Sequence, residues 1–415
     1  MKILILSQYF WPENFTINQL VITLKNQGNE VVVATGKPNY PDGNIYDGYK
    51  AWGSCNEFFD NDIEVVRVPT YPRSTGGAIN LIINYIVFVV FGIVMFPFLL
   101  RKHKFDSILV FAGSPNAAIP AIFLKWVKKC HLAFWILDLW PETLVATGLI
   151  KNKFIIGIVK AVVKWTYKNV DTILVQSLAF IDPVTRMSNA SKVVYYPNTA
   201  DVPISQGETE FSISSDLKNV LDSYFTVVFT GNIGTAQSMQ TLIGAAQILE
   251  TNQSIKFVLV GSGSMLEWVK EQQLKLKLGN IYISGRYPIS AMDFIFKNSG
   301  CLLAMLKGDE IFTYTIPGKI QAYLSSGKPI IASLNGEGAR IIVESSSGIT
   351  CPAEDSAALA FSVLKLFKMS ESERALMGES GKKYYNDHFE INKQAKKLVE
   401  ILVSRQIEKN TNIII

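Results

Sequence analysis

Residues 312–338, FTYTIPGKIQAYLSSGKPIIASLNGEG, decide the fold. In this stretch Pro317 and Gly318 precede a segment with a helical pattern, Gly327 and Pro329 end that segment, and a short apolar strand follows. A breaker, a helix, a second breaker and a buried strand form one α/β unit. Repeated along a chain, such units build an open, mostly parallel sheet with helices on both faces.

The same stretch offers a place for an anionic ligand. Lys319 lies at the start of the predicted helix, where unpaired N–H groups and the helix dipole favour negative charge. The loop 335–338 carries Glu337 and leaves the carboxyl end of the strand, which is the usual ligand position in an open parallel sheet. We therefore predict a ligand pocket between this helix and this loop.

Composition limits the possible classes of protein. The chain has 415 residues, enough for two domains with a core each, and 48% of them are hydrophobic while 18% are charged. The net charge of +5 is not gathered into a basic run with interleaved aromatics, which favours a membrane surface or a phosphate-bearing substrate over nucleic acid. Four scattered cysteines and three distant histidines predict no metal cage and no disulfide framework, which fits a reducing cytosol.

The first half of the chain carries the acid/base candidates. A strand at 132–137 ends in Asp138, and Glu142 follows four residues later in the segment DLWPE. Carboxylates at the carboxyl end of a buried strand are placed for proton transfer. Glu142 has an alternative role at the start of the next helix, which Pro141 permits. Glu13, in the loop after the first strand, is a further candidate.

An apolar segment interrupts this half. Residues 74–100 contain no charged side chain, and Arg-Lys-His-Lys follows at 101–104. The length suffices for a transmembrane helix. The strands on either side look like neighbours in one sheet, however, and a span would separate them. We therefore expect segment 78–101 to lie in the inner leaflet as a hairpin or helix, with a true span and a buried core helix as alternatives. The lysines of helix 151–168 suit the same membrane, or form a solvated face.

The second half restarts the pattern of strands and helices after a polar run at 205–215. We predict two doubly wound Rossmann-like domains that face each other across a cleft. The predicted boundaries are 1–200 for the first domain, 201–380 for the second, and 381–415 for a terminal helix that could pack back on the first.

A glycine-bearing loop follows the first strand of the second half. Gly231, Asn232 and Gly234 could let backbone N–H groups approach a diphosphate, because glycine lacks a Cβ, although a plain tight turn is equally compatible. Arg286 follows another predicted strand. We expect this loop, Arg286, Lys319 and Glu337 to converge at the strand ends of one sheet.

Several motifs together resemble the GT-B glycosyltransferases of bacterial surface-polysaccharide assembly. The resemblance covers nearly the whole chain. Within this group, the combination of motifs is most similar to transferases of N-acetyl-L-fucosamine in O-antigen or capsule synthesis. The motifs that carry it are WPEN at 11–14, DLWPETLVATG at 138–148, PNTAD at 197–201, FTGNIGTAQSMQTLIGAAQ at 229–247 and IPGKIQAYLSSGKPIIA at 316–332.

The resemblance implies a nucleotide-sugar donor bound by the second domain, an acceptor bound by the first, no cofactor and no obligatory metal. Tyr314 and Ala322 stand where many members of the group have two glutamates. The nearest polar candidates for the lost sugar and ribose contacts are Glu310, Gln321 and Glu337. The Arg and Lys that often follow the glycine loop are also absent, which leaves Lys319 and Arg286 to offset the diphosphate charge.

The expected reaction moves a sugar from a UDP-sugar to a polyprenyl-diphosphate-linked saccharide at the cytoplasmic face of the inner membrane. Asp138 is the expected base, and Glu13 and Glu142 are alternates. Inversion is favoured if a carboxylate base is essential, and retention remains open otherwise. A sugar-nucleotide 2-epimerase and an inactive scaffold subunit of the same fold are the alternative functions.

Overall fold

The computed structural model describes residues 1–74, 78–146, 152–199 and 212–414. Residues 205–211 of the predicted linker lie outside the described residues. So do Lys151 and the ends of two quoted motifs, 147–148 and 200–201. The chain forms two compact units. Unit 1 comprises Met1–Asn198 and Ile391–Ile415, and unit 2 comprises Thr199–Glu390.

Unit 1 contains one eight-stranded sheet. Its strands are β1 (Lys2–Leu6), β2 (Glu30–Thr35), β3 (Cys55–Phe59), β4 (Ile63–Arg67), β5 (Ser107–Ala112), β6 (His131–Ile136), β7 (Thr172–Val175) and β8 (Val193–Tyr195). The order is β3-β4-β2-β1-β5-β6-β7-β8, and every pair is parallel except β3 with β4. The central strands are continuous apolar runs because helices cover both faces of such a sheet. The direction of strand addition reverses between β1 and β5, which is the topological switch point.

The helices of unit 1 cover this sheet. They are α1 (Thr16–Asn26), α2 (Ala78–Leu99), α3 (Ala118–Lys128), α4 (Glu142–Ala146), α5 (Lys153–Asn169) and α6 (Ile181–Thr185). Helix α2 connects β4 to β5, which are parallel strands of one sheet with β2 and β1 between them. The flanking strands are therefore in one sheet, as the sequence suggested, although they are not adjacent in it.

Unit 2 contains a six-stranded, wholly parallel sheet in the order β11-β10-β9-β12-β13-β14, with helices on both faces. Here the switch point lies between β9 and β12. Its elements are α7 (Ser215–Ser223), β9 (Phe225–Asn232), α8 (Met239–Ile248), β10 (Ile255–Ser262), α9 (Leu266–Lys275), β11 (Ile281–Gly285), α10 (Met292–Lys297), β12 (Cys301–Met305), α11 (Glu310–Thr313), α12 (Gly318–Ser326), β13 (Ile330–Ser333), α13 (Glu337–Glu344), β14 (Gly348–Cys351), α14 (Ser356–Lys368) and α15 (Glu371–His388).

The last helix, α16 (Ile391–Ile414), returns to unit 1. Its buried Ala395, Leu398 and Leu402 join the core beneath α1. The predicted boundary at 380/381 falls inside α15, which stays in unit 2 because Gly378 packs against Gly327. A Cβ added at Gly378 would lie 1.9 Å from the Gly327 carbonyl oxygen. Two doubly wound α/β units confirm the predicted fold class.

Candidate functional site

The sheet of unit 2 has a gap at its switch point, because β9 and β12 pair over a short length. Strands β9 and β12 pair at only two positions, Cys301 with Val227 and Leu302 with Val228, and then separate. Tyr323 of α12 bridges the gap. Its hydroxyl accepts a hydrogen bond from the Thr230 N–H at 3.1 Å and lies 3.4 Å from the Leu303 carbonyl oxygen. Helix α12 is thereby attached to the carboxyl end of β9.

Lys319 lies one turn before Tyr323 on the same helix and extends into the same region. Its Nζ is buried and lies 3.8 Å from the centre of the Phe229 ring. No hydrogen-bond partner for this Nζ exists in the described part of the chain. Burial lowers the pKa of Lys319 to about 7. The residue as a whole is half-exposed while its amine is enclosed, so a bound anion would supply the partner that a protonated amine needs there.

The predicted glycine loop begins within β9, because Gly231 and Asn232 are the last two residues of that strand and pair with Gly261 and Ser262 of β10. A Cβ added at Gly261 of β10 would lie 1.9 Å from the Gly231 carbonyl oxygen, and Gly231 itself has φ +103°. The Gly234 N–H already donates to the Gln237 Oε1 at 3.2 Å. Of the three residues proposed for donor binding, Gly234 therefore has its N–H in a local hydrogen bond, whereas Gly231 and Asn232 are exposed.

The two predicted cations differ in position. Arg286 follows β11, the edge strand, so β10 separates that strand from β9. Its side chain is exposed. The loop after β12 lies closer to the glycine loop, because the Lys307 N–H donates to the Ala236 carbonyl oxygen at 2.9 Å. The contacts thus place Lys319 at β9 and leave Arg286 as a residue of the sheet edge.

The polar candidates for sugar or ribose contacts have different surroundings. Glu310, the first residue of α11, is exposed and accepts a hydrogen bond from the Tyr314 hydroxyl at 2.8 Å. The Tyr314 hydroxyl therefore holds the Glu310 carboxylate in place. Glu337 opens α13, is buried, and receives Arg340 through Nε at 2.9 Å and a second guanidinium nitrogen at 3.2 Å. Gln321 is buried on α12.

The switch point of unit 1 is lined by a network of amides. The Asn116 Nδ2 donates to the Gln8 Oε1 at 2.6 Å, and the Gln8 Nε2 donates to the Asn84 Oδ1 at 2.6 Å. The Tyr9 hydroxyl also donates to this Asn84 oxygen, at 3.2 Å. Gln8 and Tyr9 follow β1, Asn116 follows β5, and Asn84 belongs to α2. The network therefore ties the apolar helix to the strand ends where a ligand would bind.

Asp138, which follows β6, is adjacent to this network. A Cβ added at Gly113 would lie 2.6 Å from the Asp138 Oδ2, so a larger residue at position 113 would displace this carboxylate. Burial raises the pKa of Asp138 to about 6. Burial raises the pKa of Tyr85, and the charge of Asp138 adds to this effect. A half-buried carboxylate with a pKa close to neutrality is suited to take a proton.

The two alternate bases are placed differently. Glu13 is buried and accepts hydrogen bonds from the N–H groups of Phe10 at 3.0 Å, Asn39 at 2.7 Å and Tyr40 at 2.7 Å. Burial raises the pKa of Glu13 to about 7. Because its oxygens tie the loop after β1 to the loop after β2, the geometry favours a structural role. Glu142 is exposed and is the first residue of α4, in agreement with the alternative of a helix start.

Sequence reasoning missed several polar residues at these sites. Tyr323 could have been found, since it lies four residues after Lys319 on a predicted helix and so shares its face. Arg73 and Tyr85 gave no signal, because they border or interrupt an apolar run. No group of three or more His, Cys, Asp or Glu that could hold a metal ion occurs among the described residues.

The two units define the GT-B class of glycosyltransferase folds, and solved structures of this class resemble the chain over nearly its full length. Anabaena Alr3699/HepE, solved in complex with UDP, is 13% identical with a TM-score of 0.68 and covers 97% of this chain and 100% of its own. At that identity the likeness shows the fold.

Sequence comparisons are more specific. Residues 224–369, which lie in unit 2, match the family model described as Glycosyl transferases group 1. WbjE of Pseudomonas aeruginosa, named as a glycosyltransferase, is 25% identical over 58% of this chain and 59% of its own length. WcaI of Escherichia coli strain K12, named as a colanic acid biosynthesis glycosyl transferase, is 23% identical over 79% of this chain and 82% of its own. The family match and the names of these relatives confirm the prediction of a glycosyltransferase enzyme.

Proposed function

We propose that the protein transfers a sugar from a UDP-sugar to a lipid-linked saccharide in the synthesis of a bacterial surface polysaccharide or lipopolysaccharide. The observation that carries the donor side is Lys319, a buried amine without a hydrogen-bond partner in the described chain, at the switch point of the family domain. Alr3699/HepE was solved with UDP and with UDP-glucose, which supports a UDP-linked donor. WcaI is named for colanic acid, a polysaccharide, which supports the class of product.

The proposed reaction requires stabilisation of the leaving diphosphate and removal of a proton from the acceptor hydroxyl. The bond between the sugar anomeric carbon and the diphosphate breaks, so negative charge builds on the leaving UDP, and protonated Lys319 stabilises it. The acceptor hydroxyl forms the new bond to the anomeric carbon and loses its proton to the Asp138 carboxylate. Glu310 and Gln321 are the proposed contacts for sugar and ribose hydroxyls. Direct attack with Asp138 as base inverts the anomeric configuration.

The sugar is proposed to be of the N-acetyl-L-fucosamine type, on the strength of the motif resemblance, with an O-antigen or a capsule as product. The test is a screen of UDP-sugars with membranes that contain lipid-linked acceptors, followed by determination of the anomeric configuration of the product. Release of UDP with a new glycosidic bond supports the proposal. Conversion of a UDP-sugar into its C2 epimer without an acceptor indicates the epimerase instead, and absence of UDP binding indicates the scaffold.

The acceptor side of the proposal rests on an exposed apolar face of unit 1. Helix α2 buries Phe88 and Phe96 but exposes five residues spaced four apart, so it is not a fully buried core helix. It is long and apolar enough to cross a membrane by length and composition. The exposed residues are Ile82, Ile86, Val90, Val94 and Phe98, each at least 50% exposed.

Neighbouring helices extend this face. Helix α3 packs against both α2 and α5, and it exposes Trp126 and Val127. Helix α5 exposes Phe154 and Ile158 together with Lys153, Lys160, Lys164 and Lys168. Apolar side chains next to exposed lysines fit the interface of an anionic bilayer. We propose that unit 1 lies on the cytoplasmic face of the inner membrane, where a polyprenyl-diphosphate acceptor can be reached.

Placing two carboxylates in this face should detach the protein. We expect the double variant Val90→Glu, Val94→Glu to bind vesicles of phosphatidylethanolamine and phosphatidylglycerol at least about tenfold more weakly, because two apolar groups are lost and two charges are repelled by the lipid. Sedimentation with vesicles measures the binding. The matched control is Leu274→Glu on α9, which changes an equally apolar residue of unit 2 that is 79% exposed. Equal binding by the double variant and the control would rule out this face.

A further inference from the structure

Arg73 is a half-buried cation that lies against two aromatic rings. Its guanidinium lies 5.5 Å from the centre of the Tyr40 ring and 6.0 Å from that of Tyr9. Burial raises the pKa of Tyr9, and the neighbouring Arg73 acts to lower it. Within the described part of the chain no carboxylate forms an ion pair with Arg73. The side chain is half-buried.

The contrast with the other arginine near this site is informative. Arg67 is fully buried, and its guanidinium is satisfied by Glu57 and by the carbonyl oxygens of Gly36 and Trp11. The Arg73 guanidinium is half-buried, and its contacts within the described residues are with the rings of Tyr9 and Tyr40, so it has lost part of its hydration without gaining a charged partner. Arg67 therefore has acceptors for its guanidinium N–H groups, whereas Arg73 has room for a further acceptor.

Arg73 belongs to the same cluster as Asp138. Tyr9 follows β1, and its hydroxyl donates to Asn84, which the amide network joins to Asn116 after β5. Asp138 lies against Gly113 at the end of the same strand. Burial raises the pKa of Tyr85, and Arg73 opposes this rise while Asp138 adds to it. The guanidinium and the proposed base thus both lie at the switch point of unit 1.

We propose that Arg73, oriented by Tyr9 and Tyr40, binds a phosphate group of the acceptor substrate beside Asp138. A planar guanidinium offers two parallel N–H donors to a phosphate, and stacking on aromatic rings fixes the direction of this pair. The inference rests on the proposed function, since it needs a phosphate-bearing acceptor. It adds a specificity: a saccharide without the phosphate would lose this contact.

The test measures binding of two probes to the full-length protein by titration calorimetry. Farnesyl diphosphate represents the lipid diphosphate of an acceptor, and UDP represents the donor. We expect Arg73→Gln to weaken farnesyl diphosphate at least about tenfold and to leave UDP unchanged, because a charged hydrogen-bonding partner is lost only in unit 1. Lys319→Gln should show the reverse pattern. Arg73→Lys, which keeps the charge but not the fork, should give an intermediate loss and guards against a folding defect.

Two further arms identify the source of the phosphate. Farnesol, which has the same tail without phosphate, should bind the wild type and Arg73→Gln equally. Vesicles with phosphatidylglycerol should do the same, since membrane headgroups are not the proposed ligand. Unchanged affinity of Arg73→Gln for farnesyl diphosphate, or weaker UDP binding by this variant, would overturn the inference. Failure of the wild type to bind UDP would instead contradict the proposed donor, and the farnesyl diphosphate result would remain readable.

Discussion

Replacing Lys319 by methionine is expected to lower the transfer rate by about 10²–10³-fold and to weaken UDP binding, while making the free protein more stable. The loss of activity follows because the buried amine at β9 would no longer meet the leaving diphosphate. The gain in stability follows because methionine is an apolar side chain of similar length that suits the enclosed position of Nζ. We expect Tm to rise by about 4 °C or more, as measured by calorimetry.

The pKa of Lys319 gives this prediction a pH dependence. Its folded-state pKa of about 7 lies below its ordinary value of 10.5. Below pH 7 the folded protein must keep a buried charge, so the stability gain of Lys319→Met is largest there. The gain declines between pH 7 and about 10.5, where the unfolded chain also loses its proton.

Binding of UDP is linked to protonation of the same Lys319 amine. Above pH 7 the free protein holds a neutral amine, and a bound diphosphate favours its protonation. UDP binding should therefore take up a proton between pH 7.5 and 9, and affinity should fall as pH rises through this range. Calorimetry in buffers of different ionisation enthalpy measures the uptake, which Lys319→Met should abolish. Lys270→Met, a change of an exposed lysine on α9, is the control. Undiminished UDP affinity in Lys319→Met would contradict the donor assignment.

The fold could be predicted because its determinants are local. Apolar runs such as β5 and β6 are buried throughout, and glycine or proline marks the ends of the segments between them. The position of Lys319 at a helix start also followed from Pro317 and Gly327. None of these inferences needed knowledge of which strands are adjacent.

The surroundings of the candidate residues could not be predicted, because they depend on contacts between distant parts of the chain. The enclosure of the Lys319 amine needs Phe229, which is 90 residues away in sequence. The structural role of Glu13 depends on the N–H groups of Asn39 and Tyr40. Helix α2 is apolar on all sides, so only packing against α3 reveals which side stays exposed. Sequence placed Asp138 first and Glu13 as an alternate, but it could not show the contacts that distinguish the two carboxylates.

Asp138 is the second residue for which we expect a large effect. Replacement by asparagine should lower kcat by about 10²–10⁴-fold, because the amide cannot accept the proton of the acceptor hydroxyl. The wild-type rate should rise with pH up to about 6, where the buried carboxylate becomes ionised, and then level off. The residual activity of Asp138→Asn should lack this acidic limb. Steady-state rates from pH 5 to 8 measure both.

Stability separates this effect from unfolding. The folded-state pKa of Asp138 lies above its ordinary value of 3.8, so its burial destabilises the fold fully above pH 6 and not at all well below pH 3.8. Asp138→Asn should consequently have an equal or higher Tm at pH 7.5, despite its lost activity. Glu142→Gln should change neither quantity, because Glu142 is exposed.

Glu13→Gln gives the opposite pattern from Asp138→Asn. A neutral amide retains only one acceptor oxygen for the three N–H groups that Glu13 serves, so we expect a lower Tm and an unchanged shape of the pH profile in the folded fraction. If Asp138→Asn keeps a near wild-type rate while Glu13→Gln removes the acidic limb, Glu13 is the base. If neither variant loses the limb, the acceptor proton passes to the leaving phosphate, and a retaining reaction becomes the better account of the chemistry.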